Sequence, residues 1–315
     1  MSVDLTNPIF HDEDAAREHL EAQRWPDGKP FCPHCGEAEN VSRLKGKSHR
    51  PGLIQCNSCL QTFTITVGSV MERSHIPLSK WVLAFHLMAA SKRGMSAKQI
   101  ERMLGVSYKS AWFMMHRIRE AMTDAKAGPI GGEGKTVESD ETFVGGKKKN
   151  VHRGKPEPKK LAVHALVERG GKMRANHVAD VSAKTLRKAI AKHVANGTTM
   201  NTDDALAYYH MSKEFAAHGI VNHSKDEYVS QDGKTHIQSA EAFFAILKRG
   251  VMGSFHSISE QHLQRYVDEF AFRWNTRSAL GIDDAERAAI AIKGAMGKRL
   301  TYRATDSSEA AQSQS

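Results

Sequence analysis

Apolar and polar positions follow different periods in different stretches of this chain, and those periods predict its elements. Residues 10–24 (FHDEDAAREHLEAQR) read as a short helix with an acidic first turn, stopped by Trp25-Pro26-Asp27-Gly28. Beyond it, Val41, Leu44, Leu53 and Ile54 stand among polar and basic residues, as in short strands. Residues 62–67 (TFTITV) alternate and predict one more strand. From 78 to 124 the period is helical. Trp81, Ala84, Phe85 and Met88 fall at i, i+3, i+4, i+7, and Ser96-x-x-Gln99 is a capping box ahead of the stripe Ile100, Met103, Leu104. Gly105-Val106 makes a turn, and Ser107 can cap a further helix with the stripe Tyr108, Ala111, Trp112, Met115. Two such helices, the second presenting Lys109, Ser110 and Arg117 outward, form a helix-turn-helix pattern, although two ordinary packed helices give the same signal.

The second half alternates between strand and helix. Residues 124–135 (DAKAGPIGGEGK) are a glycine-rich linker, and 136–144 read as a strand. The segment 145–160 (GGKKKNVHRGKPEPKK) is a basic loop, suited to phosphates through Lys147, Lys148, Lys149 and Arg153, or simply a solvated surface. Strands at 161–167 and 177–181, a helix at 183–195, a strand at 198–203 and helices at 240–252 and 260–276 follow. Strand, strand, strand, helix, strand, helix is the order of a ribonuclease-H-like α/β domain. The polar tail (ATDSSEAAQSQS) predicts disorder.

Composition narrows the class. The 315 residues allow two or three compact units, and a formal charge of +10 favours a polyanionic partner, nucleic acid before membrane. No apolar run approaches the roughly 18 residues of a membrane span. The first twenty residues lack the basic and apolar regions of a secretory signal, so a cytoplasmic protein is expected.

Two sets of residues carry candidate chemistry. All four cysteines fall in two knuckles, Cys32-Pro33-His34-Cys35 and Cys56-Asn57-Ser58-Cys59, separated by 20 residues. Each C-x-x-C turn aims two thiolates at one tetrahedral ion, and four thiolates leave no open position, so a Zn²⁺ held there is structural. Disulfides or a redox pair are the rival, but no thioredoxin-like pattern surrounds either knuckle. The second set is acidic. Phosphodiester chemistry on two Mg²⁺ ions needs carboxylates converging from distant strands and a helix. Asp140 inside the 136–144 strand, Asp203 at a strand end and Glu241 at a helix start qualify. Glu138 shares a face with Asp140, Glu141 points the other way, and Asp204 adjoins Asp203. A strand-end aspartate also commonly caps the next helix. Lys248, seven residues after Glu241 and nearly aligned with it, suits a phosphate beside the scissile one.

From Phe10 to about Arg277 the chain resembles insertion-sequence transposases of the bacterial DDE superfamily that carry an N-terminal zinc ribbon. The stretches RWPDGKPFCPHCG, ESDETFVGGK and TDD, the helix from His236 to Gly250 ending LKRG, and FRWNTR at 272–277 carry the resemblance. It implies a multidomain α+β protein: an N-terminal helical segment at 1–25, a zinc ribbon at 26–70, a helix-turn-helix at 75–124, a linker at 125–135, a ribonuclease-H-like catalytic domain at 136–280 and a C-terminal extension at 281–315. It further implies Mg²⁺- or Mn²⁺-dependent cleavage and transfer of double-stranded DNA at the element's terminal inverted repeats. Asp140, Asp203 and Glu241 are the implied catalytic and metal residues, with Lys248 as basic auxiliary and Arg249 beside it on DNA. The family often has Asn where Gln238 stands, and some members use that position as third catalytic residue. His223 and His236 are weaker phosphate-contacting candidates. A homo-oligomer on DNA, associated with the nucleoid when bound, follows from cutting two ends together. A regulator that binds DNA without cutting it, or a ribonuclease-H-like nuclease, is the alternative.

Overall fold

The computed structural model describes residues 4–124, 126–145, 159–209, 215–222, 229–230 and 233–301. Asp12 caps the first helix, α1 (Glu13–Arg24), by accepting the Ala15 N–H at 2.7 Å. Strands β1 (Val41–Arg43), β2 (Ile54–Cys56) and β3 (Thr62–Phe63) form a small antiparallel sheet. The alternating run at 62–67 stays extended for only two residues. Val67 N–H turns back to the Thr64 carbonyl, and Arg24 Nη1 takes the carbonyls of Ile65 and Val67 at 2.7 Å each. Ile65 therefore enters the core from a turn instead of from a ladder.

Helices α2 (Leu78–Ala90), α3 (Ala97–Leu104) and α4 (Tyr108–Met122) follow. The stripe Trp81, Ala84, Phe85, Met88 is buried, as its spacing predicts. Pro77 gives α2 no capping side chain, and Glu13 of α1 serves instead, accepting Leu78 N–H at 2.8 Å and Ser79 N–H at 3.2 Å. Ser96 and Ser107 cap α3 and α4, and Gly105 ends α3 in the left-handed conformation (φ +59°) that favours glycine. Met103 is half exposed; only Ile100 and Leu104 of its predicted stripe reach the core.

The cysteine-bearing sheet and these helices share one core, in which Cys32, Ile54, Cys56 and Phe63 pack with Leu20, Trp81 and Met115. The same core takes Ala291 and Ile292 of α9 (Asp284–Lys293), in the segment expected only as an extension. Beyond α9 the backbone returns to the ribbon, with Val70 N–H on the Ala295 carbonyl and Gly297 N–H on that of Gly68. The apolar face of α9 finds its partner more than two hundred residues upstream, which no local pattern signals.

The five-stranded sheet runs β10-β9-β5-β6-β7. β5 (Thr136–Val144), β6 (Leu161–Glu168) and β7 (Met173–Val178) are antiparallel neighbours. β9 (Thr199–Asp203) lies parallel to β5, and β10 (Ala217–Val221) parallel to β9. This is the ribonuclease-H-like arrangement. Short strands β4 (Ile130–Gly131) and β8 (Val194–Ala195) pair beside it. β7 begins at Met173, earlier than 177, because the Glu168 N–H on the Lys172 carbonyl closes a tight hairpin. Its polar Arg174 and Asn176 hid the strand from its hydrophobic pattern. One face of the sheet packs on α7 (Gln238–Gly250) and α8 (Glu260–Asn275) through Val163, Ala165, Phe243, Phe244, Leu263 and Val267. The other packs on α5 (Ala183–His193) and α6 (Leu206–Tyr209) through Val137, Leu166, Met200, Leu186 and Tyr208.

A buried ion triad joins the two halves. Glu269 of α8, fully buried, accepts from Arg119 Nε of α4 at 2.6 Å and from Arg273 Nη2, and the Arg119 guanidinium lies 3.9 Å from the Tyr266 ring centroid. No helix among the described residues is long and apolar enough to cross a membrane.

Candidate active site and metal centre

Asp140 and Asp203 stand on adjacent strands. The parallel register Thr136↔Thr199, Val137↔Met200, Glu138↔Asn201, carried two residues on, sets Asp140 opposite Asp203. Neighbouring strands lie about 4.8 Å apart, and the period of two puts both acids on the face that α7 and α8 cover. Both are half-buried. Asp140 Oδ1 accepts the Glu141 N–H at 2.7 Å, and Asp203 Oδ1 accepts the Ala205 N–H at 3.1 Å, opening the turn into α6.

Glu138, which shares the face of Asp140, has a different task. It is fully buried, and its carboxylate accepts Ser239 N–H at 2.7 Å, Ala240 N–H at 3.2 Å and the Ser239 hydroxyl at 3.1 Å. Ile237, at the N-cap of α7, offers no capping side chain. Glu138 fills the orphan donors of that helix, where the positive end of the dipole also favours a carboxylate. Arg169 Nε and Nη2 donate to it at 3.2 Å each, and His236 Nδ1 lies 3.3 Å away. The first turn of α7 is thus pinned two residues from Asp140, with Glu241 exposed on that turn. Among the described residues, Asp140, Asp203 and Glu241 do not converge within 4.8 Å; only the four cysteines form such a set.

Glu141 does point to the opposite face. Its carboxyl pairs closely with the Tyr208 hydroxyl, which contacts Ser139 Oγ at 3.0 Å, itself 2.8 Å from His164 Nε2. Burial pushes the Glu141 carboxyl up to about 7; the Tyr208 hydrogen bond opposes this, and the negative charges of Asp140 and Asp203 add to it. Burial first, and then His193, push His164 down to about 4. Sequence reasoning missed the roles of Glu138 and Tyr208. The signal available was an apolar residue where α7 needed a cap.

The cysteines meet as their spacing requires. Cys32 Sγ lies 3.6 Å from Cys59 Sγ, and Cys35 Sγ 3.6 Å from Cys56 Sγ, far beyond disulfide length. Four sulfurs each about 2.3 Å from one tetrahedral ion stand about 3.8 Å apart, so the set fits zinc.

Lys109 is exposed and Ser110 half-buried on the first turn of α4, and Lys248 and Arg249 are exposed along α7. Arg117 corrects the sequence reading. It is 9% exposed, donates to the Glu72 carbonyl at 3.0 Å and lies 4.3 Å from the Phe113 ring centroid, because the later turns of α4 are packed on all sides. Asp204 and Gln238 are exposed. Lys147, Lys148, Lys149, Arg153 and His223 lie outside the described residues.

A zinc-ribbon fold joined through helices to a ribonuclease-H-like sheet is the architecture of a transposase. Residues 131–275 match the model of an ISXO2-like transposase domain, and residues 11–62 that of a transposase zinc-ribbon domain. Both matches are to domains of transposases, and together they cover more than half of the chain. It is similar to "Uncharacterized protein in transposable element ISH50" of Halobacterium salinarum, 28% identical over 282 residues that span 84% of this chain and 91% of that protein.

Proposed function

We propose that the chain binds the terminal inverted repeats of an insertion sequence and catalyses strand cleavage and strand transfer at them. The observation that carries this reading is the β5–β9 register, which sets Asp140 beside Asp203 under the start of α7. Asp140, Asp203 and Glu241 would hold Mg²⁺ or Mn²⁺. An all-carboxylate donor set suits these hard cations. Bound there, the metal would offset charge on the phosphoryl oxygens and lower the pKa of water. Lys248 and Arg249 lie on the same helix, seven and eight residues past Glu241, and would position phosphates of the bound DNA. Tyr208 and Glu138 keep the two strands and α7 in place.

The ribbon with its zinc and the exposed start of α4, with Lys109 and Ser110, would take the terminal repeat; N-terminal residues of a recognition helix are those that reach base edges. The 147–149 lysines and Arg153 would add sequence-independent grip. The working form on DNA would be at least dimeric. Incubation with Mn²⁺ and duplex carrying the terminal repeats should yield nicks at the repeat ends and joined products with plasmid. Tight binding with no cleavage under Mg²⁺ or Mn²⁺ would sink the enzyme in favour of a regulator, and cleavage without joining would favour a nuclease.

Glu138→Ala should lower cleavage about 10–100-fold, as loss of a group that orients metal ligands does, with repeat binding retained. Glu138→Gln, which keeps one oxygen for the Ser239 and Ala240 N–H groups, should restore part of the rate. Equal rates for both variants and the parent would remove Glu138 from the site's construction. Cys32→Ser should drop bound zinc from about one equivalent per chain to near zero by elemental analysis. It should also abolish repeat binding and leave Mn²⁺ uptake at the acidic site measurable.

A further inference from the structure

A cavity of about 430 Å³ opens where the end of α2 meets the C-terminal ends of α7 and α8. Of its lining, only Arg249 enters the DNA contacts proposed above. Its walls are unusual in combining rings with cations. Phe243, Phe270 and Trp274 supply the rings, with Phe243 and Trp274 edge-to-face at 6.2 Å between centroids. Lys92, Arg93, Arg249 and Arg277 supply charge at the rim, and none of the four pairs with a carboxylate among the described residues. The one acid in the lining, Asp284, is committed to Arg287.

Two donors in this lining also lack an acceptor. The Arg273 side chain is 9% exposed and gives one Nη to Glu269 and Met88, yet its Nη1 is buried with no partner. The next residue, Trp274, has its indole Nε1 buried with no partner. Neither atom is open to solvent, so both lie behind the cavity wall, and the cations that a ligand in the cavity meets directly are those of the rim. The size is in the range of small-ligand sites.

We infer that this cavity is a nucleotide site, in which a base packs against Trp274 and its phosphate meets Arg277 and the Lys92–Arg93–Arg249 rim. The inference rests on the DNA-binding reading above and goes beyond it by naming a second place on the protein for an unpaired nucleotide of the bound strand. The helix α7 sets its position. Glu241 and Arg249 lie eight residues apart on one helix, about 12 Å at 1.5 Å per residue. At about 3.4 Å per step along a strand, the held nucleotide falls three to four steps from the phosphate at Glu241.

The test uses the full chain in an Asp140→Asn background, so that DNA is bound and not cut. Oligonucleotides ending in the terminal repeat, with an unpaired end, carry 5-iodouracil at successive positions. Ultraviolet cross-linking should label the peptide containing Trp274 from about the third or fourth position past the cut site and from no distant one. Trp274→Ala should weaken binding of that DNA roughly ten-fold, as loss of one base–aromatic stack does. Because Trp274 also packs against the core, Lys92→Ala/Arg93→Ala on the exposed rim is the second variant. It should lower the slope of log affinity against log salt by about 1.4, two single-strand contacts, with an unchanged melting temperature. Free deoxynucleoside monophosphates at millimolar concentration should compete weakly; tight binding of the free nucleotide without any strand cross-link would overturn the inference. So would cross-links confined to other peptides together with unchanged affinity in both variants, provided the repeat is bound. Failure of the Asp140→Asn protein to bind repeat DNA at all would instead strike the DNA-binding reading itself.

Discussion

Asp140→Asn is expected to cut cleavage of terminal-repeat duplex by at least about 10³-fold while leaving binding to that duplex intact. Metal-held charge stabilisation is worth several kcal/mol, and each 1.36 kcal/mol is a factor of ten in rate. Asparagine has the same shape and keeps an oxygen for the Glu141 N–H that Asp140 now accepts at 2.7 Å. The strand, its register and the buried neighbours therefore stay as they are, and only the charge goes. Asp203→Asn should behave alike, since its Oδ1 contact to Ala205 N–H also survives the change. Asp204→Asn is the control: an exposed neighbour beyond the strand should change the rate by about two-fold at most, the scale of ordinary surface substitutions. Gel-resolved nicking in Mn²⁺ with parallel binding titrations separates the outcomes. Robust cleavage by either Asn variant would remove that aspartate from the reaction.

Glu269→Ala is expected to destabilise the chain by about 3–5 kcal/mol, the cost of breaking a buried ion pair by removing one partner. The residue has no exposed surface, and its loss strands both Arg119 and Arg273 in the interior. Because Arg119 belongs to α4 and Glu269 to α8, the damage falls on the joint between the helices α2–α4 and the five-stranded sheet. Urea unfolding should show the midpoint moving down, or the two halves melting separately. The pH dependence has a definite sign. Burial pushes the Glu269 carboxyl up, but Arg273 and Arg119 outweigh it and hold the group below the ordinary glutamate value. Its contribution is therefore complete above about pH 4.3, the unfolded value, and is lost as pH falls through the lowered folded value. The gap between the wild type and Glu269→Gln should narrow on acidification below that point. A constant gap down to pH 2 would contradict the charge-based account.

Features that depend on near neighbours were legible. The two knuckles, the caps Ser96 and Ser107, the α2 stripe and the span of β5 all rest on spacings of a few residues, and the structure reproduces them. Arg117 read as an exposed contact because it is charged, and it is buried because the loop after the ribbon packs against it and takes its guanidinium on the Glu72 carbonyl. β7 starts four residues earlier than expected because Arg174 and Asn176 break its apolar pattern while a tight hairpin sets its start.

The sequence alone determined that four thiolates would meet, that a strand would carry Asp140 and another would end at Asp203, and that helices would follow. These are consequences of local turns and of periods of two and 3.6 residues. Only the tertiary structure decided that Asp140 and Asp203 stand side by side, since that depends on parallel pairing between strands about sixty residues apart. It also decided that Glu138 is the cap of α7 and not a further ligand: Ile237 leaves donors open, and the one carboxylate buried within reach of them fills them. Charge and hydrogen-bonding capacity are written in the residues, but their partners are assigned by packing.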